Sequence, residues 1–337
     1  MELPGEPRLR WILARLARLL ALGAEPVAGL VLPTAEFFPD DFDGRAPSVA
    51  RLLGRVARHA GFADVPLRLA VPGAPGAAGS CACGSGGCGE GGGAPAASAA
   101  RVERLGGPDG GYLVPLAAAQ AGHPAALTTA LVRAVAEVFL HEAQAEEELD
   151  PGEQQALCEL CGTMLGFGVL LCNGAYIYTK GCGGARIGSA TVLPVEELSV
   201  ALAVFCQLHR SPWRAAAAHL EPTARACFGP ARDWAIANAG VVQLLRSDRR
   251  AIEAGTYALG AGSGWLGRLL GLGRARGPSV PTEAELAALG RSFSVARARL
   301  RPRAGEFGRA PDPRPRDGAK ERRLSEIRAL VDESLER

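Results

Sequence analysis

Three cysteines, Cys81-Ala-Cys83 and Cys88, stand in a bed of glycine and form the sharpest chemical signal in the chain. Thiolates this close on a glycine-rich segment can bind a soft or borderline metal, so zinc or copper(I) is the cofactor they imply. Without a near fourth ligand they make a poor closed zinc site, and the competing reading is a low-complexity insertion. Cys158 and Cys161 have the spacing of a redox motif, but on a helix both sulfurs fall on the buried face, with Cys172 further along it. Free cysteine packs well as a small hydrophobe, so core packing is the expectation there. His141-Glu142-Ala-Gln-Ala145 carries the first half of His-Glu-x-x-His, with Ala145 where the second imidazole belongs. The neighbouring Glu146, Glu147 and Glu148 read as a solvated helix end. His59, His123, His209 and His219 are scattered and define no Ser-His-Asp arrangement. Gly260-Ala-Gly-Ser-Gly264 has no strand before it and no Gly-Lys-Ser/Thr after it, which removes it as a phosphate loop.

The elements that must position such groups are bounded by composition. With 337 residues, 48% of them hydrophobic, the chain can bury a sizeable core. A net charge of +2 is too small for a general nucleic-acid-binding surface, so no nucleic-acid partner is expected. Nine cysteines, an odd number without even spacing, argue against a disulfide framework and for a reducing, cytoplasmic location. Leu9, Ile12, Leu13, Leu16, Leu19 and Leu20 share one side of a helix, opposite Arg8, Arg15 and Arg18. Arg15 and Arg18 interrupt any export signal. A helix capping the domain is the favoured reading, and weak membrane-surface contact is the alternative. Cys161 to Tyr178 is uncharged and nearly long enough to span a bilayer, but Asn173 and its glycines favour a buried core helix over a transmembrane span.

Along the chain, Val27–Leu32 reads as a buried strand, Pro47–Ala60 as a helix, and Pro66–Val71 and Gly111–Leu116 as two further strands. Between the last two, Gly73–Ala100 is too poor in apolar residues to offset its ordering entropy. Helices then follow over Pro124–Ala143, Glu153–Leu171, Val195–His209, Trp213–His219 and Thr223–Arg246, the last broken near Gly229-Pro230. Asp150-Pro151 is a good helix start, and Gly181–Gly188 reads as an exposed loop. The fold class is therefore α+β: a small sheet with packed helices, then a helical half, then a C-terminal extension. In domain terms, 1–250 is the α+β domain carrying the 73–100 insertion. A Gly/Arg-rich linker (251–281), a helix (282–300), a Pro/Arg-rich linker (301–319) and an amphipathic helix (320–337) follow.

This order resembles a group of uncharacterised bacterial proteins with a minimal zinc-metallopeptidase-like, or zincin-like, core. The resemblance rests on Leu32-Pro33-Thr34, then Phe37-Phe38-Pro39-Asp40, then Gly166-Phe167-Gly168 followed by Asn173. Leu193 and Leu198-Ser-Val-Ala-Leu-Ala203 match a later helix, and the likeness covers about residues 9 to 250.

In that family a helix bearing His-Glu-x-x-His lies where this chain has Leu131-Val-Arg-Ala-Val-Ala-Glu-Val-Phe-Leu140. Aligned on Val138-Phe139-Leu140, the resemblance places the two imidazoles at Arg133 and Glu137 and the general base at Ala134. The third ligand falls near Gln155, with Glu159 the closest carboxylate. Arginine does not ligate zinc and alanine cannot move a proton, so catalytic zinc is not expected. Arg133 and Glu137, one turn apart, could pair where the metal would sit. The resemblance thus implies an inactive relative that binds or scaffolds a protein partner. Two alternatives stay open: a hydrolase using other residues, and a metal-handling protein using Cys81, Cys83 and Cys88.

Overall fold

The computed structural model describes residues 2–70, 101–106, 110–145, 149–181 and 184–260, with side chains at 118, 119 and 179–186 left aside. The cysteine loop, the rest of the 73–100 insertion and all elements expected beyond 260 lie outside the described residues. The chain divides into two units, Met1–Ala284 and Glu285–Arg337, and everything described belongs to the first.

The elements run α1 (Glu6–Ala21), α2 (Ala46–His59), β1 (Leu67–Ala70), β2 (Glu103–Arg104), β3 (Tyr112–Pro115), α3 (Ala118–Ala121) and α4 (Pro124–Glu142). Then come α5 (Pro151–Gly162), a π-turn (Thr163–Phe167), α6 (Gly168–Gly174), β4 (Ile177–Gly181), β5 (Gly184–Gly188) and α7 (Val195–His209). Four helices close the described chain: α8 (Trp213–Ala218), α9 (Pro222–Ala237), α10 (Ala239–Ser247) and α11 (Arg249–Glu253). The fold is α+β with packed helices. One sheet has the order β1-β3-β2, with β3 parallel to β1 and antiparallel to β2.

The apolar stripe of α1 does what its periodicity implies. Leu9, Ile12, Leu13, Leu16, Leu19 and Leu20 are all buried, against α5, α7, α10 and α11. Each such side chain contributes about 1.5–3 kcal/mol relative to exposure. At its start, Arg8 donates to Glu197 at 2.7 Å, tying α1 to the first turn of α7, and its guanidinium lies 3.8 Å from the centre of the Trp11 ring. Arg10 reaches the carbonyl of Tyr257 and stacks on its ring, so ordered packing continues past 250.

The helix pair α5–α6 forms the centre. Asp150 caps α5 through the amides of Gly152 and Glu153. By length and composition, Pro124–Glu142 and Pro151–Gly174 would suit a membrane span, yet the apolar window of the second is 94% buried inside this fold. The helix expected over Glu153–Leu171 is broken at Gly166, whose φ is 103°. That left-handed residue lets the carbonyl of Gly166 accept from Val31, and a Cβ there would collide with the carbonyl oxygen of Gly29.

Three expectations are corrected. Val27–Leu32 is no strand: Gly29 takes a φ of 69°, Val27 faces solvent, and Leu30 and Val31, adjacent in sequence, are both buried. Gly181–Gly188 is no simple loop, because β4 and β5 pair antiparallel with Tyr178 opposite Ile187; the β-branched and aromatic residues outweigh the glycines. The break in the last long helix falls at Asn238 rather than Gly229-Pro230. Pro230 costs α9 one hydrogen bond and α9 runs through it, whereas the Asn238 side chain binds both the Trp234 carbonyl and Gly260.

Candidate functional site

Arg133, Ala134 and Glu137 project from one face of α4 toward α5, which packs alongside. They line one small cavity with Gln155 and Cys158 of α5, and with Val102 and Gln120. Its volume of about 40 Å³ has room for a water molecule or an ion of similar size. Four of the five positions singled out from the sequence therefore converge. The fifth, Glu159, sits next to this space, fully buried beneath Arg133.

Glu159 is held from three sides. Its two carboxylate oxygens accept from the amides of Val192 and Leu193 at 2.7 and 2.8 Å, and Arg133 Nε stands 3.5 Å from Oε1. Arg133 also donates to the carbonyl of Ala190 at 3.1 Å. The pair thus locks α4 and α5 to the turn that launches α7. Burial pushes the Glu159 carboxyl up to about 7, against the opposing pull of Arg133 and the two amides.

Glu137 takes its backbone donor from Val102 at 3.1 Å. Burial raises its pKa, and among the charges that lower it again Arg133 contributes less than His141 and Arg101. The expected intrahelical pair of Arg133 and Glu137 gives way to these tertiary engagements. Across helices, a guanidinium and a carboxylate can meet with better geometry than the Arg-then-Glu order permits on one helix.

The remaining candidates separate cleanly. Glu142 accepts from the Tyr112 hydroxyl at 2.5 Å and His141 packs edge-on against the same ring, so this His-Glu pair fastens α4 to the sheet. Cys158, Cys161, Cys172, Cys206 and Cys227 are all buried. Burial raises all five, Cys206 to about 12 and Cys227 to about 11, which makes them poor nucleophiles. Among the described residues no group of three or more His, Cys, Asp or Glu is placed to hold a metal ion.

No family model, curated protein or solved structure matches the chain.

Two of the scattered histidines do come together. His123 and His219 line an open cleft with Tyr176 and Tyr178, at the N-terminal ends of α4 and α9. Their 96-residue separation hides this, but the sequence does hold one trace of it. Asn173, which the resemblance picked out, spans the cleft floor by donating to the His219 carbonyl at 2.9 Å and accepting from the Glu221 amide at 2.8 Å. His59 and His209 serve packing instead. The first meets the Phe37 carbonyl at 2.9 Å; the second stacks on Phe205, and burial drives its pKa down to about 4.

Proposed function

We propose that this chain is a catalytically silent, zincin-like protein that acts by binding or scaffolding a partner. The observation that carries the reading is the convergence of Arg133, Ala134, Glu137 and Gln155 on one cavity between facing helices. A zinc peptidase would need imidazoles and a carboxylate base there, surrounding an ion and its water. In this chain Arg133 brings a fixed positive charge within reach of Glu159, and that charge repels a cation. Ala134 offers no base, and Glu137, the one carboxylate on the cavity wall among the described residues, is engaged by Val102. What is left to such a framework is recognition.

The test is restoration. Arg133→His, Ala134→Glu, Glu137→His and Gln155→Glu together put ligands and base at the four converging positions. The account expects a gain of one zinc per chain with the helical spectrum retained. A folded quadruple variant that gains no zinc would sink the proposed register. Peptide hydrolysis by the unmodified protein, abolished by a chelator, would reject catalytic silence.

A further inference from the structure

The cleft at the N-terminal ends of α4 and α9 has a volume of about 910 Å³, within the usual range of binding sites, and shares no lining residue with the α4–α5 cavity. Strand alternation sets its aromatic wall. Ile177 turns inward at 2% exposure while Tyr178 is 51% exposed, so Tyr176, one step before Ile177, falls on the Tyr178 side. Both rings line the cleft, with His219, Pro124, Leu170 and Pro222 around them.

Hydrogen bonding and charge narrow the occupant. Asn173 is spent on the His219 carbonyl and the Glu221 amide, and among the described residues the Tyr176 and Tyr178 hydroxyls have no partner. Neither helix end has a side-chain cap, so first-turn amides of α4 and α9 add further donors. The cleft therefore offers donors to a ligand rich in neutral acceptors. No Lys or Arg lines it among the described residues, whereas the exposed Glu221 carboxylate does and enters no ion pair there. That carboxylate repels an anion and attracts a cation at the rim. A polyproline II segment meets each condition: apolar rings for the tyrosines, carbonyls without an internal partner, and no N–H at proline to satisfy. Aromatic-lined grooves are the usual seat of such segments.

We propose that this cleft docks a proline-rich peptide segment of a partner protein, its pyrrolidine rings on Tyr176 and Tyr178 and a flanking arginine on Glu221. This gives the partner in the binding reading a chemistry and rests on that reading, at a cleft that owes nothing to the degenerate cavity.

Fluorescence anisotropy of a labelled, arginine-flanked hexaproline titrated with the full chain tests the proposal, with glutamate-flanked hexaproline and arginine-flanked hexaalanine as comparisons. The arginine-flanked hexaproline should bind saturably with a Kd below about 1 mM, and both comparison peptides at least about tenfold more weakly. Tyr178→Ala and Glu221→Gln should each weaken it about tenfold. Tyr178 and Glu221 are both exposed, so both variants should fold. The proposal is overturned by no saturation up to about 5 mM, by either comparison peptide binding as tightly, or by unchanged affinity in either folded variant. Indole binding more tightly than the peptide overturns it equally, as the mark of a site for a small neutral ring. Zinc gain and peptide hydrolysis test the α4–α5 cavity by separate measurements, so failure here leaves catalytic silence standing, and failure there leaves the docking result standing.

Discussion

Arg133 Nε on α4 lies 3.5 Å from the fully buried Glu159 Oε1 on α5, so a guanidinium and a carboxylate close the space between the helices. Because Glu159 also accepts the amides of Val192 and Leu193, the pair fixes where α7 begins as well as how α4 and α5 pack.

Arg133→Leu should therefore cost about 3 kcal/mol in urea unfolding, since it leaves a buried carboxylate without its counter-charge. Adding Glu159→Leu to it should cost clearly less than the sum of the two single losses, because the charge is then gone as well. Additive losses would mean that the two side chains do not interact.

The same carboxylate sets a pH dependence. Its folded-state value is raised to about 7, above the ordinary glutamate range, so the folded state holds a proton that the unfolded state releases. Stability from this group is fully present below the unfolded value of about 4.3 and is lost as pH rises toward 7. Glu137, also raised by burial, acts in the same direction. In Arg133→Leu the decline should extend to higher pH, because the charge favouring ionisation is gone. Unfolding titrations from pH 4 to 9 on both proteins would show this, and a variant whose profile overlays the parent contradicts it.

Gly166→Ala should destabilise the fold by more than 1 kcal/mol, about the least expected when a left-handed glycine gains a side chain that has no room. The melting temperature measures it. A variant as stable as the parent would mean that the segment around Gly29 is not held against this kink.

Much of the fold could be read from periodicity. The leucine stripe of α1, the Asp150-Pro151 start of α5 and the strands around Leu67 and Tyr112 all follow from local pattern. The site was legible only in part. Arg133, Ala134, Glu137 and Gln155 could be placed together only through the family resemblance, which sets them at its ligand and base positions, and all four line one cavity. The partner of Arg133 could not be read, because Glu159 reaches it through tertiary packing that also uses backbone amides 33 and 34 residues away. Val27–Leu32 misled because its apolar run is that of a strand, while Gly29 turns the backbone to meet Gly166. The cleft escaped because His123 and His219 approach only after α6 and α9 are joined through Asn173.

The central claim is that the α4–α5 cavity, closed by Arg133 over Glu159, holds no catalytic zinc. The direct measurement is elemental analysis after zinc loading and dialysis, made on a variant with Cys81, Cys83 and Cys88 all replaced by serine. The account predicts less than about a tenth of an equivalent of zinc per chain, as expected where cation ligands are lacking. One equivalent of zinc, lost on replacing Gln155 or Glu137, would contradict it and restore a working metal site.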